Sequence, residues 1–198
     1  MGVSRSPGSA PEGAPAQRSA SQSQADGRVV LDPAGVERAT RRMAHEIVER
    51  NREPERLALV AIAAGGVPIG ELLAARVAEL QGAPVPLGTL DVTLYRDDVI
   101  GRGRRPIPHR TQMPFSANGM RIVLVEDVVF TGRTIRAAMD AVLDFGRPEA
   151  IQIATLVDRG HRELPIQVDF VGKNIPTARA EQVVLRPCGG GGYEVAVL

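Results

Sequence analysis

The run from Ile122 to Thr134 constrains this chain more than any other: Ile-Val-Leu-Val-Glu-Asp-Val-Val-Phe-Thr-Gly-Arg-Thr. Its first part is short, apolar and largely β-branched, the pattern of a strand buried on both faces of a parallel sheet. Glu126 and Asp127 stand side by side at the strand's C-terminal end, and Thr131-Gly132-Arg133-Thr134 follows. A helix is predicted from there. Ile135, Ala138, Met139, Val142 and Leu143 make one apolar stripe. Gly146 suits a C-terminal cap, and Pro148 blocks continuation.

The order of these parts is chemically specific. Gly132 permits close backbone approach. Free N–H groups at the helix start, with the helix dipole behind them, make an anion site. Thr131 and Thr134 add hydroxyl donors. Two carboxylates just upstream would repel a bare phosphate, but they suit neighbouring sugar hydroxyls or a hydrated Mg²⁺. Phosphate, diol and divalent metal together describe a ribose 5-phosphate, bound at the ends of parallel strands. Taken singly, an acidic pair after a strand is often a solvated turn, and a Thr-Gly pair a helix cap.

The remaining chain suits an α/β domain of 198 residues with tails. A net charge of +1 gives no global field for nucleic acid or membrane. Apolar content of 43% suffices for a core, and no apolar run approaches a membrane span. Aromatic residues at 3% argue against stacking platforms for single strands. A lone Cys188 excludes an intramolecular disulfide, and no signal sequence is evident, so the cytoplasm is expected. Residues 1–28, rich in Ser, Ala, Gly, Pro and Gln, are expected to be a disordered leader before a domain at 29–198.

Asp32-Pro33 marks a helix start. Val36, Met43, Ile47 and Val48 form its buried face to about Asn51, opposite a basic face of Arg38, Arg41, Arg42 and His45. Leu57 to Ile62 predicts a second buried strand. Ala63-Ala64-Gly65-Gly66 turns it, and Pro68 opens a helix with Ile69, Leu72, Leu73, Val77 and Leu80 inward. Val85 to Tyr95 alternates as a longer strand, followed by Arg96-Asp97-Asp98. Residues 99–118, rich in Gly, Pro and Arg, suggest a flexible flap over a phosphorylated ligand. Ile151 to Val157 is another buried strand, ending in a charged loop. Phe170 to Asn174, Val183 to Leu185 and Tyr193 to Val197 suggest an antiparallel edge or hood.

The central string resembles the phosphoribosyl diphosphate (PRPP) signature of type I phosphoribosyltransferases. Three further segments narrow the resemblance to the PyrR family, the bifunctional pyrimidine-operon regulators with uracil phosphoribosyltransferase activity. They are Arg42 to Ile47, Asp91 to Asp98, and Leu156 to Pro165 taken with Gly172 to Thr177. The resemblance spans about residues 29 to 185. It implies a type I phosphoribosyltransferase fold: a central parallel sheet flanked by helices, with a small hood and a flexible flap. It implies transfer of ribose 5-phosphate from PRPP to uracil, giving UMP and diphosphate with Mg²⁺. It also implies binding of pyrimidine-operon leader mRNA, transcriptional attenuation, and a homodimer or higher homo-oligomer, with no membrane partner.

Carried onto this chain, the resemblance gives Glu126, Asp127 and Arg96 the catalytic roles. Glu126, Asp127, Val128, Val129, Phe130, Thr131, Gly132, Arg133 and Thr134 would bind PRPP or UMP. Ala64, Gly65 and Gly66 would form the pyrophosphate loop, and Asp97 would lie near the metal. Val157 and Asp158 would face the base, and Arg41, His45 and Arg162 would bind RNA. Three positions depart from the family pattern: Glu126 replaces Asp, Ala64-Gly65-Gly66 replaces Thr-Arg-Gly, and Gln167 replaces an arginine. The second departure supports an alternative, a UMP- or PRPP-sensing RNA-binding regulator with little catalysis.

Overall fold

The computed structural model describes residues 1–2, 27–63, 65–96 and 110–198. Ala64, Asp97, most of the leader and the flap residues up to 109 lie outside the described residues. The strands are β1 (Arg28–Leu31), β2 (Leu57–Ile62), β3 (Leu87–Leu90), β4 (Arg121–Val129), β5 (Ala150–Asp158), β6 (Phe170–Asn174), β7 (Val183–Cys188) and β8 (Gly192–Val197). The helices are α1 (Pro33–Arg50), α2 (Gly66–Gln81) and α3 (Arg133–Val142). Among the described residues no helix is long and apolar enough to cross a membrane.

Five parallel strands form the main sheet in the order β3-β2-β4-β5-β6. All six residues of β2 are buried, as an apolar run in a doubly covered strand requires. Alternate residues feed two cores. Leu57, Leu59, Val123 and Val125 pack with Met43, Ile47, Ile69 and Leu73 of α1 and α2. Ala58, Val60, Ile122 and Leu124 pack with Ile135, Ala138 and Val142 of α3 on the other face. Chain progress reverses between β2 and β4, so right-handed crossovers put α2 and α3 on opposite faces. Open α/β sheets bind their ligands at such a switch point.

Asp32 caps α1 by accepting a hydrogen bond from the Gly35 amide at 2.7 Å. The observed elements differ from the sequence expectations in four places. First, the strand expected over Val85 to Tyr95 ends at Leu90. The Asp91 carboxylate accepts from the Thr93 amide at 2.8 Å and turns the chain into a 3₁₀ turn at Thr93–Tyr95. Second, Phe170–Asn174 is no part of the hood. It pairs parallel with β5 as the edge of the main sheet. The hood is a separate antiparallel sheet, β1-β8-β7. Third, the end of the expected flap is anchored. Gln112 bridges Thr89 through two backbone hydrogen bonds of 2.7 and 2.8 Å, and Ala117 is fully buried. Fourth, Leu80 and Leu143, the last residues of their apolar stripes, are exposed, and Leu143 lies past the end of α3 in the 3₁₀ turn Leu143–Phe145.

Candidate functional site

The acidic pair sits inside β4, not beyond it. β4 pairs with β2 only as far as Val125↔Ala61, yet stays paired with β5 to Val129↔Asp158. Glu126 and Asp127 therefore stand where the sheet parts, beside the end of β2. The β2–α2 turn closes on them. A β-carbon at Gly66 would collide with the Val125 carbonyl, and one at Gly65 would lie 2.5 Å from the Asp127 Cγ. At Gly66 the obstacle is backbone, so only glycine allows this approach, whereas at Gly65 it is the Asp127 side chain.

After Val129 the chain turns through Phe130, Thr131 and Gly132 into α3. Gly132 is the N-cap at φ +90°, a left-handed conformation that disfavours any side chain. The amides that open α3 thus carry the dipole's positive end to the cavity floor. The cavity is about 400 Å³, with Thr131, Gly132 and Thr134 at its base and Glu126 on its wall. Arg96, Arg133 and Arg179 line it too, opposed by Glu163. With three guanidiniums and two carboxylates, the site favours an anion.

Burial pushes the Glu126 carboxyl up to about 8, and the neighbouring Asp127 charge adds to the rise. A hydrogen bond with Thr134 and the charges of Arg96 and Arg162 oppose it in part. Burial raises Asp127 as well, against hydrogen bonds from backbone amides at 127 and 128. Burial thus disfavours negative charge on both carboxyls, and a carboxyl that keeps its proton can donate to a polyol as well as accept from it.

The other expected site residues fall into separate places. Val129 and Val157 are buried under the site. Asp158 turns its carboxylate to the Gly160 amide at 2.8 Å and to Arg162 at 2.6 Å. Arg41 and His45 lie on α1, around a shallow surface hollow that they share with Ala34 and Arg38. Arg162 is not in that hollow. Its guanidinium donates to the carbonyls of Phe130 at 2.8 Å and Ile166 at 3.1 Å, bracing the phosphate loop. Sequence reasoning missed Glu163 and Arg179 as pocket residues. Glu163 was visible within a charged loop after a strand end. Arg179 carried no local signal, because only the fold brings its loop to the cavity.

Residues 26–185 match the phosphoribosyl transferase domain family. The Bifunctional protein PyrR of Geobacter sulfurreducens is 56% identical over 161 residues, covering 81% of this chain and 91% of that protein. The chain belongs to the PyrR family. The PyrR family protein of Deinococcus radiodurans is 53% identical over 157 residues, covering 79% of this chain and 86% of its own length. Among solved structures, a hypoxanthine phosphoribosyltransferase of Trypanosoma cruzi covers 86% of this chain and 95% of its own, with a TM-score of 0.63 at 18% identity. At that identity the likeness shows the fold alone, the type I phosphoribosyltransferase fold.

Proposed function

We propose that this PyrR-family protein converts uracil and PRPP to UMP and diphosphate, and binds pyrimidine-operon leader mRNA in a uridine-nucleotide-dependent way. The observation that carries the enzymatic half is one continuous arrangement. Glu126, at the parted end of β4, and the glycine-capped start of α3 a few residues on line one cavity, with Asp127 beside it against Gly65.

Glu126 and Asp127 engage the ribose hydroxyls. A proton retained on Glu126 lets it donate as well as accept there. The amides of residues 131–134 and the Thr131 and Thr134 hydroxyls hold the 5-phosphate. Arg96 faces the departing diphosphate. The reaction needs little covalent help from the protein. An oxocarbenium-like centre develops as diphosphate leaves, so positioning and charge stabilisation supply the rate.

Among the described residues no group of three or more His, Cys, Asp or Glu side chains could hold a metal ion. Mg²⁺ would enter on the diphosphate, since this ion keeps waters and takes only one or two carboxylates. Asp127 is the described carboxylate suited to it. Bound there, the ion would offset the charge of the leaving diphosphate.

The sensor reading without catalysis is disfavoured by relatives that carry the bifunctional name at over half identity. The RNA-binding half rests on the basic face of α1, with Arg41 and His45. On this reading it works in the cytoplasm with its substrates, as a homodimer or larger assembly.

Supplying PRPP and Mg²⁺ with uracil or with hypoxanthine tests the substrate. Nucleotide should form from uracil only. Nucleotide from hypoxanthine would reassign the base.

A further inference from the structure

Arg159 is a buried cation outside the proposed chemistry. It is 8% exposed and does not line the cavity. Among the described residues no carboxylate lies within ion-pair reach of it. Burial disfavours the charge and the Glu181 carboxylate offsets this only in part, so the donors need partners. Here the partners are neutral and belong to two different loops.

Towards the loop 175–182, which joins β6 to β7, Arg159 makes three hydrogen bonds. Its Nε donates to Thr177 Oγ1 at 3.0 Å, and its Nη2 to the carbonyls of Ala178 at 3.0 Å and Glu181 at 2.7 Å. Towards the phosphate loop, its guanidinium lies over the Phe130 ring, 4.2 Å from the centroid. Its own amide donates to the Val129 carbonyl at 3.2 Å. Weaker ties run parallel. His161 Nε2 lies 2.7 Å from the Thr177 carbonyl, and its ring meets Phe130 edge-on. Glu163 pairs with both Arg133 and Arg179.

In the nucleotide reading above, the phosphate loop grips the 5-phosphate and the loop 175–182 starts on the base side. The phosphate loop leads into α3. The loop 175–182 starts where the Ile175 amide binds the Asp158 carbonyl, at the base-facing end of β5, and carries Arg179 to the cavity. We propose that Arg159 is a positioning residue that fastens the loop 175–182 to the phosphate loop, so that base and 5-phosphate are gripped at one fixed separation. The inference rests on the nucleotide reading above. A planar fork is required, because one group must span two carbonyls, a hydroxyl and a ring. Lysine offers a point charge without that reach.

The experiment compares UMP with ribose 5-phosphate, titrated by calorimetry into the full chain. Ribose 5-phosphate lacks the base, so its binding does not depend on the separation at which base and 5-phosphate are gripped. Arg159→Met should weaken UMP about tenfold while ribose 5-phosphate stays within about twofold. Arg159→Lys should recover part of the UMP affinity. Thr177→Val, which removes one acceptor without changing shape, should give the same selectivity at about threefold. A folded Arg159→Met that binds UMP as the native chain does, or that loses both ligands equally, overturns the proposal. If Arg159→Met fails to fold, Thr177→Val decides. An unchanged ratio of UMP to ribose 5-phosphate affinity in that variant overturns it. Failure of the native chain to bind either ligand overturns the nucleotide reading itself, an outcome separate from loss of selectivity in a variant.

Discussion

The α-carbon of Gly65 lies against the carboxyl group of Asp127, close enough that a β-carbon would stand 2.5 Å from Asp127 Cγ. The carboxylate fills the room that a side chain at 65 would need. In Gly65→Arg the carboxylate must turn aside, which is cheap for the end of a flexible side chain. The added guanidinium then supplies a charge-assisted hydrogen bond to phosphate, worth about 1.5–3 kcal/mol. The PRPP KM should fall by about tenfold or more. An unchanged KM would mean that a guanidinium in this loop is not what limits binding.

Glu126 sets a pH dependence of stability. Its carboxyl is raised from 4.5 to about 8 in the folded chain. Between those values the folded state holds a proton that the unfolded state has lost, so stability falls as pH rises through that window. Glu126→Gln removes the titration. Its melting temperature should match the native value near pH 4 and exceed it by a growing margin up to pH 8 or so. A margin that stays constant with pH would contradict the buried, proton-holding carboxyl.

Gly132→Ala should be costly twice over. The residue sits at φ +90°, and a β-carbon would lie 3.0 Å from Ile166 Cγ1. A non-glycine residue there carries strain of about 1–3 kcal/mol. Denaturant unfolding should show that loss. UMP affinity should fall with it, because the first amides of α3 shift. Full UMP affinity in a destabilised variant would separate the loop's shape from its binding role.

The three expected RNA contacts should not behave alike. Arg41 and His45 lie on the open face of α1, whereas the Arg162 side chain is only 21% exposed and holds the Phe130 carbonyl. Arg41→Ala and His45→Ala should weaken leader-RNA binding and leave UMP affinity unchanged. For Arg41→Ala the salt slope should drop by about one unit. Arg162→Ala should weaken UMP as well. Gel shifts at two salt concentrations, beside UMP titrations, check this. Identical behaviour of Arg162→Ala and His45→Ala would contradict the placement of Arg162.

Much of the site was legible because its parts are local. A β-branched run, an acidic pair, a glycine N-cap and an amphipathic helix each carry their own signal within Ile122 to Leu143. The same holds for Asp32 at the start of α1. The misses are non-local or turn on one side chain. Phe170–Asn174 has no parallel or antiparallel signature of its own, and its membership of the main sheet is set by β5. The alternation through Val85 to Tyr95 hid the Asp91 turn, which one carboxylate–amide bond decides. Arg162 looked like a surface cation in a charged loop. Its carbonyl partners at 130 and 166 become visible only once the loop is folded.

The most direct test of the central claim is steady-state formation of UMP from uracil and PRPP with Mg²⁺, across a range of PRPP concentrations. Sustained, saturable turnover is the predicted result, with the Gly65-Gly66 turn sufficient for catalysis. No turnover from folded protein that still binds UMP would contradict it, and would leave the cavity as a nucleotide sensor for the regulatory half alone.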